Sequence, residues 1–292
     1  MAGFSIDTAL KSGFRLAKRE PLAVFVWGIG YALLGLLIQA IALGPALPGY
    51  LATVGQDPEA AAAQMERAAS ANALWTLPIM MILGVGAAAV FYGAVVRALL
   101  HPEERGFFYL RVSRRELWLI LTSFALLVGM LLVVMAGAFV LGMLGSLAGG
   151  WGMLFAFPAV VGFVYLAARF STAWVQSFDE KRLVVLDGWR MTRGQGWRIL
   201  LMLLALLFLL LIVAVVIMIP AAIVGGILLG VAGMAGGAGG AVVTAVVAIA
   251  ALVLFSGCYG VFLAVAVAPY VEVYRSLKGL GLPGGETAEV FA

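Results

Sequence analysis

Arginine and tryptophan carry most of the chemistry this chain offers. The stretch "RMTRGQGWRIL", residues 190–200, holds Arg190, Arg193 and Arg198, with Trp189 just before it and Trp197 inside it. It stands directly ahead of one of the most apolar runs in the chain. A guanidinium is a permanent planar cation with five donors, shaped to meet a phosphate or carboxylate. An indole is at home at headgroup depth in a membrane. Together they suit the recognition of an anion at a lipid surface. Arg97, Arg111 and Arg169 extend the candidate set for lipid headgroup binding. Glu272 is the candidate ion-pair partner for an arginine. Arg97, Arg169 and Glu272 each lie near the end of an apolar run, where they are expected either to converge as a phosphate pocket or to snorkel and form structural ion pairs.

Covalent and metal chemistry find little support. The chain has one histidine, His101, and one cysteine, Cys258, so no dense N and S ligand set for zinc, haem or iron–sulfur can form. An intramolecular disulfide is likewise excluded. No G-x-S-x-G, H-E-x-x-H or phosphate-cradling P-loop occurs. The expectation is a non-enzymatic protein with no cofactor and no bound metal.

The elements that position these residues follow from composition. Hydrophobic residues make up 64% of the 292 and charged residues 11%, against roughly 25% charged in a soluble domain. Mean hydropathy is +1.13. Apolar runs long enough to cross a hydrocarbon core of about 30 Å recur along the chain. Six spans are expected, at about 21–43, 73–99, 117–143, 151–177, 198–228 and 241–270. The fold class is therefore all-α, a polytopic transmembrane bundle. Its expected parts are an interfacial helix at 1–20, a membrane domain at 21–272 and a tail at 273–292.

Charge placement supports that count. With six spans, 17 of the 18 basic residues fall on one side, and only Arg67 falls on the other. The positive-inside bias then places both termini in the cytoplasm. The net charge of +4 and pI near 9.4 thus belong to membrane topology, and no nucleic-acid partner is expected.

Local signals refine the picture. Ile6, Leu10, Phe14 and Ala17 recur at helical spacing opposite Lys11, Arg15 and Lys18, an amphipathic pattern that predicts an interfacial helix. Asp57 and Pro58 read as N-cap and first residue of a helix that rests on the outer surface or extends the second span. The G-x-x-x-G patterns at Gly145–Gly149 and Gly226–Gly230 are candidates for close helix packing.

The opening cluster also has relatives within the chain. Arg190 to Gln195, Arg111 to Glu116 and Arg15 to Glu20 share an arginine, a second basic residue three positions on, and a Glu or Gln two beyond that. Each copy precedes an odd-numbered span. Three helical hairpins, each introduced by a short interfacial helix, would account for this.

The stretch "VVLDGWRMTRGQGWRILLMLL" resembles the signature of a family of bacterial six-span proteins. The family is labelled as the membrane domain of glycerophosphodiester phosphodiesterases or as YciC-like uncharacterised membrane proteins. Trp189, Arg190, Thr192, Arg193, Gly194, Trp197 and Arg198 stand at signature positions. "ARFSTAWVQ" is similar to the end of that family's fourth span, and "APYVEVYRSLKG" to its closing segment. The likeness is sharp over about residues 165–200, loose near 265–279 and topological elsewhere. It departs at Gln195 and Gly196, where the family often carries a bulkier residue.

The resemblance implies a six-span fold in a bacterial inner membrane and no established reaction. The expected function is binding, sensing or scaffolding of an anionic phospholipid or related amphiphile, with membrane lipid and a membrane protein as partners. The alternative is a secondary transporter or permease subunit for an apolar or amphipathic solute.

Overall fold

The computed structural model describes residues 4–46, 48–49, 53, 57–148, 154–234 and 238–279. The fold is all-α, with no strand among the described residues. Its helices are α1 (Ile6–Arg19), α2 (Pro21–Leu43), α3 (Pro58–Leu100), α4 (Arg114–Ala148), α5 (Ala156–Phe170), α6 (Ala173–Glu180), α7 (Leu186–Met191), α8 (Gly196–Met234) and α9 (Ala238–Lys278). Six helical segments are long and apolar enough to cross a membrane, so this is a multi-pass protein. A short helix or 3-10 turn precedes each odd-numbered span: α1, the turn Phe107–Tyr109, and α7.

Capping chemistry explains several boundaries. Pro21 opens α2, where its missing N–H costs nothing. Gly44 closes it at φ 50°, a left-handed conformation that glycine adopts without a Cβ clash. Asp57 caps α3, its Oδ1 accepting from the N–H groups of Glu59 at 3.1 Å and Ala60 at 3.0 Å. Of the two expected arrangements for that connection, extension of the second span is the one found. The 43 residues of α3 run about 65 Å at ~1.5 Å per residue.

The amphipathic helix α1 forms as expected, but it buries a different face. Ala9, Ser12, Gly13 and Leu16 are inside, whereas Phe14 is exposed. Small residues allow a close approach that the hydrophobic spacing alone does not encode.

The fourth span is not one helix over 151–177. Residues 151–153 lie outside the described set, and α5 stops at Phe170 before α6 resumes at Ala173. The Ser171 hydroxyl donates back to the Ala168 carbonyl at 2.7 Å, the local competition that weakens a helix at serine and threonine. The last helix also runs on to Lys278, so the expected tail at 273 begins six residues later.

The chain forms two compact units. The first comprises the described residues of Met1–Leu16, Tyr92–Leu209 and Val265–Ala292, and it holds most of the polar residues. The second comprises those of Ala17–Phe91 and Leu210–Ala264. Inside the second unit α2 meets α9 backbone to backbone. A Cβ on Gly28 would overlap the Ser256 carbonyl, and one on Gly260 would overlap the Val24 carbonyl. These are the packing glycines. Gly145, Gly226 and Gly230, expected in that role, have open space where a Cβ would lie, and Gly149 is outside the described residues.

Candidate functional site

The signature segment folds around Arg169. From the end of α5, its Nε donates to Thr192 Oγ1 at 3.0 Å and its Nη2 to the Trp189 carbonyl at 2.7 Å. Its guanidinium carbon lies 3.8 Å from the centroid of the Trp189 indole, a cation–π stack. The Thr192 hydroxyl has the Gly188 carbonyl at 2.9 Å and the Arg169 carbonyl at 3.1 Å as acceptors. Phe170 packs against Trp189, and Tyr165 against Trp197.

Two glycines make this fit. A Cβ on Gly188 would come within 2.8 Å of the Ala173 Cβ, and one on Gly196 within 2.5 Å of the Tyr165 hydroxyl and 2.9 Å of Arg169 Cδ. At Gly196 the space a side chain would need is filled by Arg169 and Tyr165.

Arg169, expected as a headgroup ligand, makes internal bracing contacts in this structure. It is 7% exposed, and its stacking, its Nε and its Nη2 are engaged inside the protein. Arg97, another expected ligand, is likewise engaged internally. It is 1% exposed, pairs with Glu116 and donates to the Tyr109 carbonyl, and its Nε lies 3.4 Å from Glu104. A charge this deep is retained only when paired and hydrogen-bonded. Glu272 does pair with an arginine, Arg275 at 3.5 Å on the next turn of α9, and among the described residues no ion pair joins it to Arg97 or Arg169.

Glu116 earns its burial through a capping box at the start of α4. Its carboxylate accepts from the Ser113 N–H at 2.8 Å and from the Ser113 hydroxyl, and Ser113 Oγ faces the Arg115 N–H at 3.3 Å. The pattern "SRRE" carries that signal in the sequence. The turn just before it holds Phe108 at φ 48° and Tyr109 at φ 62°, left-handed conformations costing roughly 1–2 kcal/mol each for residues with a Cβ. They place the Tyr109 carbonyl on Arg97.

A polar cluster centred on Asp179 of α6 escaped the sequence reading. Its carboxylate accepts from the Tyr274 hydroxyl at 2.6 Å and from Lys278 Nζ at 2.7 Å, and it faces His101 Nε2 at 3.2 Å. The end of α3, all of α6 and the end of α9 are joined at this carboxylate. The next residue back, Phe178, presents its ring to Arg97 at 5.5 Å and to Arg115 at 5.8 Å. Ser177 takes a hydrogen bond from Thr122 at 2.6 Å. In sequence, "SFDEKR" reads as a solvated loop, and nothing local marks Asp179 as shared by two distant helices.

Among the described residues, His101, Glu103 and Glu104 bring one possible metal-ligand atom each within 4.8 Å of one another. Glu104 is already held by Arg97 and by Arg115 at 3.0 Å, and two guanidinium groups repel an added cation.

The remaining candidates form the outer surface. Arg111, Arg193, Trp197 and Arg198 are exposed, Trp197 at 66%. Arg190 is exposed too, with Asp187 at 3.5 Å. Arg190, Arg193 and Gln195 line one wall of a recess of about 650 Å³, and Ser276 and Lys278 line the other.

Comparison with family models finds none that matches, and no curated protein or solved structure matches either.

Proposed function

We propose that this chain is a non-enzymatic protein of a bacterial cytoplasmic membrane, akin to the six-span family its signature resembles, whose basic side faces the cytoplasm and holds anionic phospholipid headgroups. The observation that carries this reading is how charge is partitioned in the first unit. Its buried and half-buried carboxylates are taken up internally: Glu116 by Arg97, Glu104 by Arg97 and Arg115, Asp179 by Lys278, and Glu272 by Arg275. Arg111, Arg114, Arg193 and Arg198 are exposed and have no carboxylate partner among the described residues. Each such cation near an anionic leaflet contributes about 1 kcal/mol, so the four together supply about 4 kcal/mol. Trp197, exposed beside Arg198, adds an interfacial anchor.

The role that follows is to scaffold or sense anionic lipid at the inner leaflet, alone or with a membrane protein partner. The test is native mass spectrometry of the gently solubilised protein, wild type against Arg193→Ala/Arg198→Ala. The expected result is selective retention of anionic over zwitterionic lipid, reduced in the double variant. Equal, unselective retention in both proteins would remove the reading.

A further inference from the structure

The recess between the 190–195 turn and the end of α9 has features that a diffuse basic surface lacks. Its walls come from segments about eighty positions apart in sequence, joined only by the fold. Its described lining includes Arg190, Arg193 and Lys278 and no carboxylate. Gly194 at φ 83° and Gly279 at φ 72° border it, and neither has an atom within 4 Å of where a Cβ would stand. The backbone on both walls is therefore open to close approach. Gln195 adds a polar side chain to the same lining. Met191 and Leu277 give the lining an apolar part. The volume falls within the range of small-ligand pockets, roughly 300–1,000 Å³.

We propose that this recess is a discrete site for one phosphate-ester headgroup, bound by Arg190 and Arg193, with Lys278 shared between the ligand and Asp179. This rests on the lipid-binding reading and deepens it to a defined site. The phosphate anion meets the two guanidinium groups, which suit it geometrically. Lys278 has three N–H donors; Asp179 and Tyr274, each at 2.7 Å, engage two of them. The third has Glu180 Oε1 at 3.7 Å, beyond hydrogen-bond distance, and is the one a ligand oxygen would take. Because Asp179 also faces His101 and accepts from Tyr274, an anion on Lys278 is felt at the contact that ties α3, α6 and α9 together.

The sharing has a signed consequence. Two anions compete for one ammonium, so neutralising Asp179 strengthens the ligand's hold on Lys278, whereas damage to the fold weakens it.

The experiment is calorimetric titration of the full chain in detergent with dihexanoyl-phosphatidylglycerol, dihexanoyl-phosphatidylcholine and inorganic phosphate. The wild type should bind the anionic lipid saturably at one site per chain. Arg193→Gln and Lys278→Met should each weaken binding about tenfold, while Lys278→Arg, which keeps the charge, should restore most of it. Asp179→Asn should tighten binding about threefold, and Arg67→Gln, exposed on the side opposite the other basic residues, should stay within about twofold of wild type. If anionic preference persists but Arg193→Gln and Lys278→Met match Arg67→Gln, the discrete site is overturned and the surface reading stands. If the wild type prefers neither lipid, both fall. Binding of inorganic phosphate as tightly as the lipid would overturn the lipid assignment and point to a soluble phosphate ester.

Discussion

Arg169 sets its guanidinium carbon 3.8 Å from the centroid of the Trp189 indole and, with the same side chain, holds the Trp189 carbonyl and the Thr192 hydroxyl. One arginine therefore fixes the shape of the turn that presents Arg190 and Arg193 to the outside. The aromatic and the threonine of the signature are its partners, and the exposed arginines are what the turn displays.

A structural brace and a headgroup ligand fail differently. Arg169→Leu should lower stability by about 2–4 kcal/mol through lost charged hydrogen bonds and stacking. Arg169→Lys should recover little, since an ammonium lacks the planar fork. Thermal unfolding in detergent reads this directly. The same measurement on Arg193→Ala should show almost no change. Equal stability of Arg169→Leu and wild type would contradict the brace.

Arg97 and Glu116 form a pair in which each residue is 1% exposed. Arg97→Met alone leaves Glu116 charged and unpaired, at a cost of about 3–5 kcal/mol. Arg97→Met combined with Glu116→Leu should recover most of that loss. A double-mutant cycle on unfolding free energy measures the coupling, and simple additivity would show that the two side chains do not depend on each other.

Packing of α2 on α9 within the second unit predicts a sharp contrast among glycines. Gly28→Val and Gly260→Val place a side chain against a carbonyl of the facing helix and should destabilise by about 3 kcal/mol or more. Gly226→Val enters open space and should be tolerated. Yield of monodisperse protein and its unfolding midpoint distinguish these cases.

Orientation is tested with the single cysteine removed. In a Cys258→Ala background, Arg67→Cys should react with a membrane-impermeant maleimide added from outside the cell, while Arg114→Cys and Lys11→Cys should react only after the membrane is opened. Labelling of all three from one side would overturn the arrangement drawn from the basic residues.

The sequence by itself determined the class of this protein and the number of its spans. Hydropathy and helix length are summed over about twenty neighbouring residues, so they are legible without knowing the fold. The Asp57 cap was equally readable, because a cap involves residues two and three positions apart. The signature segment was visible as a cluster, and Arg193, Trp197 and Arg198 are exposed as a surface role requires.

Only the tertiary structure decided which arginines face inward. Arg97 and Arg193 are the same residue type and both were candidates for the same headgroup role, yet Arg97 is enclosed by Glu116 and Phe178 while Arg193 opens onto a recess. Thr192 meets Arg169 across 23 positions, and Lys278 meets Asp179 across 99, separations at which residue spacing carries no signal. The glycines show the same limit. In a membrane, lipid-facing and protein-facing surfaces are both apolar, so the pattern could not favour Gly28 and Gly260 over Gly226 and Gly230. Burial against a distant backbone made that choice.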